Sequence, residues 1–120
     1  MIDVGDLERI FAYIDAHQDE YFSQLGEFVH IRSTASCPEE REKARKFIEK
    51  RFQEAAVDCK RVPIQNGNAL LCGRKEGRSD RTVLLYNHYD VVEPGNPDKW
   101  ESKDPYHMVE KNGYLYARGV

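Results

Sequence analysis

The spacing of the apolar residues changes near Asp58, and this change divides the chain into a helical first half and a second half of strands. Before it, apolar side chains recur every three or four residues, which is the period of an amphipathic helix. After it, short β-prone runs alternate with turns that contain asparagine and glycine. Helices followed by several strands predict an α/β fold with a mixed sheet.

Two helical regions are predicted in the first half. The first covers residues 6 to about 31, where a polar gap at 17–20 leaves open either one bent helix or two short ones. The second has the clearest period, and Ser36 with Glu39 fits a capping box at its start, with Pro38 in the first turn. Its polar face carries charges of alternating sign, a pattern typical of a solvated surface rather than of a basic binding face.

Three β-structures are predicted in the second half. Residues 59–64 and 69–73 flank an Asn-Gly turn, and residues 108–117 form another hairpin around a second Asn-Gly pair. Residues 81–86 lie between the two hairpins and include three consecutive apolar residues without alternation. Such a run predicts a central strand that is buried on both faces.

Composition excludes several classes of function. The chain has 120 residues, 40% hydrophobic and 32% charged, so one soluble globular domain with its own core is expected. A net charge of −3 favours neither nucleic acid nor an anionic membrane. The acidic N-terminus lacks the basic region of a signal peptide, and no apolar run reaches the roughly 20 residues of a membrane span. Three cysteines without a C-x-x-C pair favour a reducing cytoplasm over disulfides or structural zinc.

The motif with the most chemical content is His88-Tyr89-Asp90, at the end of the predicted third strand. Residues two apart share a face along a strand, whereas on a helix they do not, so a second His-x-Asp at His17 and Asp19 is not expected to cooperate. His88 could bind a metal ion through one ring nitrogen while Asp90 accepts a hydrogen bond from the other. The alternative is a histidine and an aspartate that merely satisfy each other as a partly buried polar pair.

The surroundings of this motif resemble one family of enzymes. Residues 84–94 are similar to the metal-binding strand end of the co-catalytic zinc peptidases, the family of aminoacylase, acetylornithine deacetylase, succinyl-diaminopimelate desuccinylase and carnosine-type dipeptidases. Other family motifs have counterparts in the same order: its helix end and I-P-S turn at 28–33, its W-x(n)-D/P-P-F segment at 100–106, its E-x-x-G-x-L stretch at 110–115 and its Y-G-R-G-(A/V) run at 116–120. The resemblance therefore covers the whole chain.

The resemblance implies roles for two residues, with His88 as a metal ligand and Asp90 as the catalytic-site aspartate that orients it. It also implies a three-layer catalytic domain of which residues 1–120 are the N-terminal part, without the inserted dimerisation domain and the C-terminal half. The implied activity is hydrolysis of an amide or peptide bond in a small peptide or N-acyl amino acid, with two zinc ions, or cobalt or manganese, as cofactors. Asn87, where the family often has glycine, favours the dipeptidase-like branch.

The resemblance also predicts what this chain lacks. The family's other ligands and its glutamate base follow the R-G-(A/V) run, so we expect the chain alone to be inactive and to bind zinc poorly. One alternative is a non-catalytic truncated α/β protein that associates with another chain through its sheet edges. Another is a one-metal hydrolase that completes its site between subunits, which leaves a homodimer open.

Overall fold

Within residues 3–120, which are those that the computed structural model describes, the chain forms three helices and four short strands. The helices are α1 (Val4–Ala16), α2 (Gln18–Val29) and α3 (Pro38–Glu54), and the strands are β1 (Asp58–Pro63), β2 (Ala69–Arg74), β3 (Val109–Lys111) and β4 (Tyr114–Tyr116). The strands pair as β1 with β2 and β3 with β4, both antiparallel. The predicted α/β class is confirmed, but within residues 3–120 the strands form two antiparallel hairpins rather than one mixed sheet.

The chain divides into two compact units. The central unit is Ile31–Glu93, and it contains α3, β1 and β2. The terminal unit joins the residues up to His30 with Pro94–Val120, and it contains α1, α2, β3 and β4. The His88 motif belongs to the central unit.

A hairpin packed on α3 forms the framework of the central unit. Its register pairs Asp58 with Arg74 and Pro63 with Ala69. At the turn, Asn66 and Gly67 have φ values of 62° and 72°, a left-handed conformation that these two residue types adopt at low cost. The hairpin predicted from the Asn-Gly pair is therefore confirmed.

An ionic cluster ties β1 to α3. Arg61 donates from Nε and Nη2 to Glu49, at 2.8 and 2.7 Å, and from Nη1 to Glu42, at 2.9 Å. The hydrogen bonds from Arg61 lower the pKa of both glutamates. These pairs stabilise the fold when both carboxylates are ionised, and the stabilisation is lost as the pH falls through the lowered values. With Arg61 and Glu42 about a third exposed, each pair contributes only about 0–1 kcal/mol.

The cluster changes the interpretation of α3. Glu49 lies on the face that the sequence pattern assigns to solvent, yet it binds a strand residue. The capping box is also wrong, because the N-cap is Cys37 and no side chain caps the helix. Ser36 instead donates from Oγ to Glu93, at 2.5 Å. The Ser36 hydroxyl binds a residue that is distant in sequence instead of capping the helix that follows it.

The terminal unit begins with two helices rather than one. They meet at His17, which settles the alternative that the polar gap left open. The second hairpin turns at Asn112 and Gly113, with φ values of 54° and 78°, and it confirms the prediction from the second Asn-Gly pair. No helix among residues 3–120 has both the length and the apolar character that crossing a membrane requires.

The loop that precedes β3 is ordered by its aromatic residues. Trp100 donates from Nε1 to the carbonyl of Pro94 at 3.0 Å, and the guanidinium of Arg118 lies over its ring, 4.8 Å from the centroid. Tyr106 is buried. These contacts hold a proline-rich connection in one conformation.

The predicted third strand is wrong for this chain. Residues 81–96 have irregular backbone without strand or helix. Residues 83–86 are between 81% and 89% exposed. An apolar run encodes a buried strand only if neighbouring strands accept its backbone hydrogen bonds and cover its faces. Residues 3–120 supply no such neighbours for this run.

Candidate functional site

His88 and Asp90 lie in this irregular segment, and their atoms meet there. Nδ1 of His88 is 2.8 Å from the main-chain oxygen of Asp90 and 3.3 Å from its Oδ1. A main-chain carbonyl only accepts hydrogen bonds, so Nδ1 carries the ring proton. Nε2 is then the nitrogen with a free lone pair, which is the group that a metal ion binds.

The exposure of the pair separates the two interpretations of the motif. The side chains of His88 and Asp90 are 71% and 60% exposed. A polar pair that exists only to satisfy buried groups has no purpose in contact with water, because solvent satisfies such groups equally well. Within residues 3–120, His88 and Asp90 are therefore an exposed pair rather than a partly buried one.

The hydrogen bond differs in one respect from the arrangement expected from the motif. The shorter contact of Nδ1 is with the main chain of Asp90, and the carboxylate lies farther away. The orientation of the peptide group at Asp90 therefore contributes to the choice of His88 tautomer, together with the carboxylate. The main-chain amide of His88 is itself bonded to Oδ1 of Asn87, at 2.9 Å.

A buried serine anchors the segment next to this pair. Ser33 donates from Oγ to the carbonyl of Tyr89 at 3.0 Å, and its own carbonyl accepts from the amide of Val91 at 3.2 Å. Ser33 is only 3% exposed. The backbone on both sides of Asp90 is thus attached to the turn between α2 and α3.

The tyrosine between His88 and Asp90 provides a second anchor. The hydroxyl of Tyr89 donates to the carbonyl of Ala69 at 2.7 Å and accepts from Nη1 of Arg45 at 3.2 Å. Arg45 is buried on α3, where Glu42 accepts a hydrogen bond from its Nε at 2.9 Å. Tyr89 thereby attaches the segment to α3 and β2, while its two neighbours remain exposed.

The far end of the segment is held at Glu93. Hydrogen bonds from Ser36 and Thr34 lower the pKa of its carboxyl group, so Glu93 is ionised at neutral pH. Residues 33–36 therefore bind the segment 89–93 at several points. In the sequence they look like a break between two helices.

The donor set for a metal ion is incomplete in the part of the chain that the structure describes. Residues 3–120 contain no group of three or more histidine, cysteine, aspartate or glutamate side chains that could hold a metal ion. A catalytic zinc ion has about three protein ligands. His88 fits one of these positions, and the described residues by themselves do not fit a complete zinc site.

His17 and His30 have other contacts. Nδ1 of His17 is 2.7 Å from the carbonyl of Tyr13, and the two rings stack with centroids 4.0 Å apart. The second His-x-Asp motif therefore directs its histidine to Tyr13 rather than to Asp19. His30 ends α2, and its Nδ1 is 3.3 Å from the carbonyl of Tyr106.

The similarity to known proteins centres on the same segment. Residues 84–120 match the model of a family described as Peptidase family M20/M25/M40, and the match includes both His88 and Asp90. Over these residues the chain is similar to this peptidase family. The resemblance predicted from the motifs is confirmed.

Individual M20/M25/M40 relatives extend the similarity to nearly the whole chain. The chain is 35% identical to the cysteinylglycine-S-conjugate dipeptidase of Corynebacterium striatum over 87% of its length, and 32% identical to the Beta-Ala-His dipeptidase of Homo sapiens over 95%. A solved structure of the di-peptidase Dug1p from Saccharomyces cerevisiae matches 95% of it, with a TM-score of 0.79 and 27% identity. The chain spans 24%, 25% and 27% of these proteins, respectively.

The sequence motifs do not indicate the three residues that hold the segment. Ser33 ends the stretch 28–33 that resembles the I-P-S turn, but the resemblance gives it no role, and Arg45 looks like one charge among many on α3. Tyr89 offers the one local signal, because a large side chain between two exposed polar residues must point the other way along an extended chain. The M20/M25/M40 match itself begins at residue 84, so it does not include Ser33 or Arg45.

Proposed function

We propose that this chain contributes His88 as one metal ligand, and Asp90 as the group that orients it, to a metal-dependent hydrolase of amide or peptide bonds. The contact of Nδ1 with Asp90, which leaves Nε2 for the metal, carries the proposal. The family match over both residues supports it. The names of the relatives favour a dipeptidase over a carboxypeptidase or an N-acyl amino acid deacylase, so a small peptide is the substrate to test first.

The residues of this chain would contribute ligand geometry to such a reaction. When bound, zinc, cobalt or manganese supplies Lewis-acid activation of water and of the amide carbonyl. His88 offers the lone pair of Nε2, and the acceptors at Asp90 hold the proton on Nδ1 and raise the basicity of the ring. We propose that residues 1–120 are the N-terminal part of a larger catalytic domain, which supplies the other ligands and the general base.

The first test is the metal content of the isolated chain. After incubation with zinc and dialysis, the chain should retain far less than one ion per molecule, because it supplies one of the roughly three ligands required. It should also show no measurable dipeptidase activity. The zinc content is measured by elemental mass spectrometry, and the activity by a dipeptide hydrolysis assay.

His88→Ala is the matched control for this experiment. It should retain the same background of zinc as the unaltered chain. Stoichiometric zinc that the unaltered chain holds and His88→Ala loses would show that the chain builds its own site, and would contradict the proposal of an incomplete one.

The state of the cysteines supports a cytoplasmic location. Cys37, Cys59 and Cys72 are free thiols, which persist in a reducing compartment. Burial raises the pKa of the Cys59 thiol, so this group is protonated and unreactive at neutral pH.

One observation favours the second candidate, association of a non-catalytic protein through its sheet edges. Val83, Leu84, Leu85 and Tyr86 are exposed and have no ladder partner among residues 3–120. Unpaired backbone groups beside apolar side chains are the features that add a strand from another chain. A homodimer formed in this way would need no metal.

A charge placed in this run tests the association candidate. If the run mediates self-association, Leu84→Lys should shift the chain from dimers or larger species to monomers, because a lysine in a strand contact must be desolvated. Val4→Lys, at a position 68% exposed on α1, introduces the same charge elsewhere and should leave the association unchanged. Analytical ultracentrifugation with and without zinc measures the mass. A chain that is monomeric at all concentrations excludes this candidate, and association that appears only with zinc indicates a site shared between subunits.

A further inference from the structure

We infer that Ser33 is a positioning residue for the His88–Asp90 pair, and that Arg45 assists it through Tyr89. The inference rests on the proposed function for its catalytic meaning, while the positioning itself can be measured without a metal. It is carried by contacts within the central unit.

The first step concerns the two peptide groups on either side of the Asp90 Cα atom. The carbonyl of Tyr89 belongs to the peptide group before it, and Oγ of Ser33 donates to that carbonyl at 3.0 Å. The amide of Val91 belongs to the peptide group after it, and the carbonyl of Ser33 accepts from that amide at 3.2 Å. One buried residue thus holds both peptide planes, and with them the φ and ψ angles of Asp90.

The second step links this clamp to the His88 ring. The carbonyl of Asp90 and the amide of Val91 are parts of one planar peptide group, in which they point in opposite directions. Ser33 binds the N–H side of this group, and Nδ1 of His88 donates to its C=O side at 2.8 Å. The carbonyl of Asp90 is the acceptor that selects the His88 tautomer. Its orientation is therefore fixed by Ser33, which binds the opposite side of the same peptide group.

The third step concerns the residue between the two functional side chains. Tyr89 is bonded through its hydroxyl to Ala69 and Arg45, and Arg45 is braced by Glu42. These contacts fix the direction in which Tyr89 points. Its neighbours at 88 and 90 remain exposed on either side of this anchored residue. Arg45 is accordingly a second positioning residue, one contact farther from His88.

Nitrogen NMR of the His88 ring tests the inference directly. When the spectra are recorded at a pH above which the ring shifts no longer change, the two ring nitrogen shifts report which nitrogen carries the proton. The unaltered chain should show the proton on Nδ1. Ser33→Ala removes the Oγ hydrogen bond to the Tyr89 carbonyl and keeps the main-chain bond between Ser33 and Val91. With one side of the Asp90 backbone released, the spectrum should move toward a mixture of both tautomers. Hydrogen exchange of the Val91 amide should accelerate roughly two- to tenfold, because the loss of the neighbouring hydrogen bond loosens the remaining one.

Ser79→Ala is the matched control, because this serine lies in the same central unit and its hydroxyl contacts, among the described residues, only its neighbours Asp80 and Arg81. It should leave the His88 ring shifts and the Val91 exchange unchanged. Tyr89→Phe removes the contacts with Arg45 and Ala69 while leaving Ser33 in place, so it should shift the tautomers in the same direction by a smaller amount. It also keeps the inference testable if Ser33→Ala does not fold.

The results distinguish failure of the positioning inference from failure of the metal-ligand proposal. A folded Ser33→Ala variant with unchanged ring shifts and unchanged Val91 exchange overturns the inference, and so does an unchanged ring in Tyr89→Phe if Ser33→Ala is unfolded. Neither result depends on zinc. Failure of the metal-ligand proposal would appear instead as a His88→Ala variant with full activity in the longer protein, while the ring shifts of Ser33→Ala still changed.

Discussion

Replacing His88 by alanine, in a protein that carries this sequence at the full length of its relatives, should lower kcat/KM for a dipeptide by more than 100-fold. Loss of an outer partner of a metal ligand typically costs 10–100-fold, and loss of the ligand itself should cost more. Asp90→Asn should fall near the lower end of that 10–100-fold range. The shorter contact of Nδ1, with the main-chain oxygen of Asp90 at 2.8 Å, survives this substitution.

The second His-x-Asp motif provides the control for this experiment. His17 stacks on Tyr13 in the terminal unit, and His17→Ala should leave kcat/KM within about twofold of the unaltered enzyme. Steady-state kinetics and the zinc content of each variant should be measured together. An effect of His88→Ala no larger than that of Asp90→Asn would contradict the assignment of His88 as the ligand.

Gly73→Ala should lower the free energy of unfolding of the chain by about 1–3 kcal/mol. A Cβ atom at this position would come within 2.9 Å of Cγ1 of Val57 and 3.1 Å of Cε2 of Phe52. Both side chains are stiff, so the strand or the helix end must shift to accommodate the methyl group. Alanine otherwise suits a strand better than glycine, so a net loss would report the collision. Urea unfolding measures the change.

Gly77→Ala is the matched substitution for comparison. No atom lies within 4 Å of the Cβ position there. Its effect on the unfolding free energy should stay within about 0.5 kcal/mol. Equal losses in the two variants would mean that the close packing of β2 against Phe52 and Val57 does not limit the residue at 73.

Local signals account for the elements that the sequence predicts correctly. The two hairpins follow from Asn-Gly pairs, whose left-handed backbone is a property of those two residues alone. The helix at 38–54 follows from its period. In each case the information lies within a few residues of the element that forms.

The run at 81–86 shows where such local reasoning ends. Its composition describes an environment, burial on both faces, and the partners that would create that environment are not among residues 3–120. Residues 81–86 have the sequence pattern of a buried strand, but no described strand pairs with them. The α/β class could be predicted despite this, because class depends on the order of elements rather than on their pairing.

The residues of the candidate site also differ in whether local sequence identifies them. His88 and Asp90 could be identified because they are two residues apart and the spacing itself has a chemical meaning. Ser33 lies 56 residues from Tyr89 in sequence, and its place in the turn motif at 28–33 does not indicate which residue its hydroxyl binds. Groups that hold a site in place are joined to it by the fold, so they are found only from coordinates.

The exposed run also bears on how the protein is made. Between Arg81 and Asp90 no lysine, arginine, aspartate or glutamate interrupts a stretch rich in β-formers. Such stretches nucleate aggregates unless they are covered soon after synthesis, and the charges at their two borders slow that process. On the ribosome this segment would be a natural binding site for chaperones until its neighbours are in place. The yield of soluble protein in cells should then depend on folding speed as much as on final stability.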